Sequence, residues 1–145
     1  MMLSEHFSLA EAIHSQTACR NGIDNTPPGN IIETMKVTAE GMEKIRALLG
    51  KSIIVSSWYR CPDLNKAAGG AVTSQHLKGE AVDFICPEFG TPLDVCKKVI
   101  DSGIRYDQII FEFTWVHISF AENPRHQSLE LVKGIGYRTL WFKRD

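Results

Sequence analysis

The sequence predicts an α+β fold, with a mostly antiparallel sheet and helices packed on one side. Three observations predict it. Apolar residues recur near the helical period in the first third of the chain. From residue 53 the pattern changes to short β-branched and aromatic runs, interrupted by one helical stretch. Two of those runs are separated only by Phe113 and Thr114, the length of a hairpin connection.

The elements follow in order. Ser8-Leu9-Ala10-Glu11 is a capping box, which predicts a short helix over 8–15. Asn25-Thr26-Pro27-Pro28-Gly29-Asn30 is a loop, because two prolines and a glycine punctuate it. Ile31, Met35, Thr38, Met42, Ile45, Leu48 and Leu49 share one helical face, so 31–49 is an amphipathic helix ended by Gly50. Residues 53–59 are a strand, stopped by Pro62. Residues 63–79 form a long polar excursion containing Gly69-Gly70 and Gly79, and loops of that length in small domains are usually functional or disordered. Residues 81–85 are a buried strand, and 92–102 a helix with Thr91 as N-cap and Pro92 at N1. Runs 107–112 and 115–120 are strands, and 134–142 adds an edge strand.

Bulk properties narrow the function. A chain of 145 residues suits one compact domain spanning 1–145. Net charge is −1 and no basic block occurs, so nucleic acid is not an expected partner. No apolar run approaches the ~18–20 residues that span a bilayer, so membrane insertion is not expected. The start, MMLSEHFSLAEAIHSQ, has neither a basic nor an apolar leader region, which predicts cytoplasmic synthesis without a signal peptide. Cys19, Cys61, Cys86 and Cys96 form no close pair and read as free thiols.

Chemistry concentrates in TSQHLKGEAVDF, residues 73–84. Alternation places Ala81, Asp83 and Ile85 on one face of their strand, between largely apolar surroundings. A carboxylate there is costly unless it is hydrogen-bonded, paired with an arginine or bound to a metal. His76 lies in the polar excursion, where a lone histidine is ordinarily solvated. His117 shares a strand face with Trp115 and Ser119, opposite the apolar Val116, Ile118 and Phe120. Alone, each histidine has an ordinary structural explanation. Together, two imidazoles and one carboxylate make a three-ligand set that suits Zn²⁺ with a fourth position open to water. Glu112 ends the preceding strand, where its carboxylate can approach such a metal as a general base or lie idle at the surface. Arg60 ends the strand before Cys61-Pro62, where it either closes a turn or serves the site.

These segments carry a resemblance. Ser74-Gln75-His76-Leu77-Lys78-Gly79-Glu80-Ala81-Val82-Asp83 matches the SxHxxGxAxD signature of zinc D-Ala-D-Ala carboxypeptidases and dipeptidases. Phage L-alanoyl-D-glutamate endopeptidases share the signature, and the hedgehog signalling domain shares the fold. Ser57-Trp58-Tyr59-Arg60-Cys61-Pro62-Asp63-Leu64-Asn65 is similar to that family's S-x-Y-R-x-P-x-x-N segment, and Trp115-Val116-His117 to its terminal W-x-H element. The FSLAEA and DNTPPGN segments are similar to phage and prophage members. The resemblance implies a hedgehog/DD-peptidase-like fold and Zn²⁺ held by His76, Asp83 and His117. It implies that Arg60 stabilises an oxyanion or holds a substrate carbonyl, that Ser74 touches substrate or braces its loop, and that Glu112 is the base. One departure stands out. Several members place the base three residues before the last histidine, a position held here by Thr114. Glu80 and Glu122 are the fallback bases, and Trp115 stands where some members have another histidine.

The implied function is a zinc peptidase of bacterial peptidoglycan stem peptides, acting on the wall after release as phage lysins do. Two alternatives use the same residues. One is an Fe(II) oxygenase with a two-histidine, one-carboxylate triad, which ordinarily has a closer H-x-D spacing than His76 and Asp83. The other is a non-catalytic zinc module that binds wall peptides or keeps the metal for stability.

Overall fold

The computed structural model describes residues 1–142. Its elements are α1 (Leu9–Ile13), α2 (Gln16–Asn21), α3 (Gly29–Leu49), β1 (Ile54–Ser57), α4 (Pro62–Ala67), a 3₁₀ turn (Gln75–Lys78), β2 (Ala81–Ile85), α5 (Pro92–Ser102), β3 (Gln108–Phe111), β4 (Val116–Ser119), β5 (Gln127–Val132) and β6 (Gly136–Thr139). The strands form one six-stranded sheet in the order β1-β2-β4-β3-β5-β6.

That sheet corrects one expectation. It is mixed rather than mostly antiparallel, because β5 pairs parallel with β3. β4 returns antiparallel beside β3, and the chain then crosses to the far side of β3 before starting β5. β5 and β6 close the sheet as an antiparallel hairpin.

The two faces divide the labour. Val82, Phe84, Ile109, Val116 and Ile118 are fully buried and form a core with Met35, Ala39, Met42 and Ile45 of α3 and Val95, Cys96 and Val99 of α5. Each large apolar side chain so buried contributes about 1.5–3 kcal/mol. α3 forms where the periodicity places it, and Gly50 ends it in the left-handed region at φ 68°. Both predicted N-caps are present: Ser8 with Glu11, and Thr91 with Asp94, make reciprocal capping boxes.

The opposite face carries one register row: Ser57, Asp83, His117, Ile110 and Leu129 lie side by side across five strands. A bulge in β1 sets its first member. Val55 opposes Phe84, but Ser57 rather than Ser56 opposes Asp83. The extra residue re-aims Ser57 toward the row.

Several elements differ from expectation at places where a local signal competed with another. The helix expected over 8–15 stops at Ile13, since His14 is extended, and Ser15 caps a second helix whose amide ladder ends at Gly22. Pro62 begins α4 at its first turn instead of merely ending a strand, so part of the expected loop 63–79 is helical. The strand expected over 53–59 ends at Ser57, and Trp58 and Tyr59 run on into the site. β5 is an additional strand, and the expected edge strand in 134–142 is β6.

Candidate metal centre

The 3₁₀ turn brings His76 over the Asp83–His117 row. Ser74 caps the turn, its hydroxyl accepting from the His76 amide at 3.2 Å. Gly79 ends the turn at φ 74°, which only glycine adopts without strain. Its carbonyl accepts from Trp58 Nε1 and Thr38 Oγ1, both at 2.9 Å. The turn is thus pinned to β1's continuation and to α3.

His76 and Asp83 are buried, and His117 is half-buried. His76 Nδ1 lies 2.6 Å from the Trp58 carbonyl. A carbonyl only accepts, so Nδ1 carries the proton and Nε2 keeps its lone pair. Nε2 sits 3.3 Å from Asp83 Oδ2, and His117 Nδ1 sits 2.9 Å from Asp83 Oδ1. The three donor atoms all lie within 4.8 Å of one another. Two imidazole nitrogens and one carboxylate oxygen fit Zn²⁺ in donor type and in number, with a fourth position left over. The hydrogen bond from His76 to the Trp58 carbonyl is the kind of partner that orients a ligating imidazole.

Electrostatics support an anionic Asp83. Burial opposes its ionisation, but the His117 Nδ1 contact and the neighbouring His76 ring outweigh burial and hold the carboxyl well below its ordinary range. Arg60 adds a contact from Nη2 to Asp83 Oδ2 at 3.4 Å. The guanidinium is held by Ser57 Oγ at 3.2 Å and Asn65 Oδ1 at 3.2 Å.

Glu112 lines the same cavity, whose volume is about 420 Å³. Burial pushes its carboxyl up, and the Asp83 charge adds to that, while His117 and Arg60 pull against it. Arg60, Ser74, His76, Asp83, Glu112 and His117 therefore all meet at one cavity. Thr114, Glu80 and Glu122 do not line it. Trp115 does, beside Tyr137 and Leu129.

Sequence reasoning did not find a buried carboxylate beside the cavity or its two partners. Asp107 is 2% exposed, and Arg125 holds its carboxyl down at about 2, with Gln75 helping. Of the three, Arg125 and Gln75 line the cavity. The adjacency of Gln75 to His76 was the available signal, but its partners lie 32 and 50 residues away.

A family model described as Peptidase M15 matches residues 5–119, which is most of the chain and includes all three metal-ligand candidates. A comparison with curated proteins finds no match.

Proposed function

The chain belongs to the Peptidase M15 family of zinc-dependent metallopeptidases, and on that premise we propose that it hydrolyses peptide bonds in peptidoglycan stem peptides. The α+β architecture fits the hedgehog/DD-peptidase-like fold that the resemblance implies. The observation that carries the reading is the convergence of His76 Nε2, Asp83 and His117 Nδ1 on a cavity that Glu112 also lines.

In this reading His76, Asp83 and His117 would hold Zn²⁺, which would supply Lewis acidity and activate water for attack. Glu112, whose carboxyl burial and the Asp83 charge push up, would take a proton from the attacking water and return it to the departing amine. Arg60 has its Nε and both terminal nitrogens engaged by Ser57, Asn65 and Asp83, which fixes the plane of its guanidinium. A fixed cation beside the reacting carbonyl stabilises the developing oxyanion, typically worth a few kcal/mol per donor. Ser74 acts through His76, whose amide it braces.

The phage or prophage lysin type, acting on the wall after release, is supported by the FSLAEA and DNTPPGN segments. Cleavage as a D,D-carboxypeptidase or as an L-Ala-D-Glu endopeptidase would be separated by one experiment. Zinc-loaded protein is incubated with purified murein, and the muropeptides are read by mass spectrometry. New termini at one defined bond are expected. Intact stem peptides after prolonged incubation, with zinc bound, would overturn the enzymatic reading and leave a wall-peptide-binding module.

A further inference from the structure

We propose that Asp107 is a positioning residue of the metal centre, tying the turn that carries His76 to the far wall of the cavity. The proposal rests on the metal-peptidase reading only for what the positioned histidine does. Asp107 stands just before β3, its own backbone fixed on both sides. Its amide donates to the Ser119 carbonyl at 2.8 Å, and its carbonyl accepts from the Gln127 amide at 2.9 Å.

Its side chain joins two segments. Oδ1 accepts from the Arg125 amide at 2.7 Å and from Arg125 Nε at 3.0 Å. Oδ2 accepts from Arg125 Nη2 at 2.7 Å and from Gln75 Nε2 at 2.9 Å. Four donors on one buried carboxylate leave it fully hydrogen-bonded, and charge-assisted bonds of this kind are roughly twice as strong as neutral ones. The Gln75 carbonyl in turn accepts from the Glu80 amide at 3.1 Å, so this residue is clamped at both ends.

The direction of the tie matters. The Trp58 carbonyl, the Arg60 amide and Thr38 hold the turn from the β1 and α3 side. Gln75 and Asp107 hold it from the β3 side. His76 is thereby spanned across the cavity instead of hanging from one edge. A ligand loop held from both sides keeps its donor atom in place before the metal arrives, and such supporting contacts typically change metal affinity by 10–100-fold.

Two full-length variants test this, Gln75→Ala and Asp107→Asn. Zinc affinity is measured by competition with a chelator, and amide hydrogen exchange is followed without metal. We expect Gln75→Ala to weaken zinc by about tenfold. Exchange at Leu77 and Gly79 should accelerate at least about tenfold, while Val82 and Ile118 keep wild-type rates. Asp107→Asn should add faster exchange at the Arg125 amide. Unchanged zinc affinity and unchanged exchange at Leu77 and Gly79 in Gln75→Ala would overturn the proposal. Uniformly faster exchange in both variants would also overturn it, since that marks a general anchor. A wild-type protein that fails to bind zinc, yet shows the local acceleration, would sink the metal reading and leave the tie standing.

Discussion

Glu112 sits where its charge is disfavoured by burial and by Asp83, and that makes it the residue whose chemistry is most directly testable. Replacing it with Gln keeps the shape and removes the base. Hydrolysis of murein should fall by about 10²–10⁴ while zinc content stays at one ion per chain. Undiminished turnover would remove Glu112 from the mechanism. Asp107 makes a different prediction, on stability. Its folded pKa of about 2 lies below the ~3.9 of an unfolded aspartate. A depressed carboxylate stabilises the fold above the unfolded value and loses that contribution as pH falls through the folded one. The urea midpoint of the wild type should therefore drop more steeply between about pH 4 and pH 2 than that of Asp107→Asn. The candidate ligand set was legible in the sequence, and the structure brings its three members together. Asp83 and His117 stand out by residue type and alternation on otherwise apolar strands, whereas His76, in a polar loop, joined them as a candidate only in combination and through the SxHxxGxAxD resemblance. The partner of His76 Nδ1 was not, because it is the Trp58 main-chain carbonyl and any residue there has one. Asp107 and Arg125 are 18 residues apart and meet only through the sheet's crossover, which no spacing rule announces.

Among the elements, the 3₁₀ turn depends most on one residue. A Cβ on Gly79 would meet Met35 Cγ at 2.5 Å, in a backbone conformation at φ +74°. Gly79→Ala should cost ~1–2 kcal/mol for the left-handed backbone and a further ~1–3 kcal/mol for overpacking against α3. Urea unfolding measures both together, and zinc affinity should fall with them because His76 rides on the turn. α4 poses a second case. A Cβ on Gly70 would lie 2.1 Å from Asn65 Oδ1 and 2.8 Å from Arg60 Nη1. Gly70→Ala should therefore displace the guanidinium and lower kcat/KM by about ten- to a hundredfold, with zinc content unchanged. Retained kcat/KM would mean that Arg60 can shift without consequence. The long elements were legible because α3 and the capped α5 carry periodicity and end signals together. The short ones were not. Pro62 both ends a strand and starts a helix, and the sequence alone favoured the first reading. Ser15 caps α2 only two residues after α1 ends, too close for one pattern to be told from two. β5 alternates in Ser128, Leu129, Glu130 and Leu131, but its half-buried pattern is weak.

For the whole molecule, metal and fold are linked. Three donors drawn from a turn and two strands assemble only in the folded chain, so zinc should stabilise it. At a hundredfold excess over Kd the gain is ~2.7 kcal/mol, which for a chain of this size raises Tm by about 10 °C. A chelator should reverse the shift, and His117→Ala should abolish it, as scanning calorimetry would show. The mixed sheet matters at this scale too. Crossing β3 to start β5 is what adds Leu129 to the register row and brings Arg125 and Tyr137 to the same cavity. Those three lie beyond residue 119, where the family match ends, while Arg60, His76, Asp83, Glu112 and His117 lie within it. The candidate site residues thus precede, in the chain, the three cavity residues that follow the family match. Leu129 and Tyr137 reach the cavity from the terminal hairpin, and through the Gln127 amide on Asp107 that same hairpin also braces the turn bearing His76, so the end of the chain shapes the pocket and steadies its donors at once.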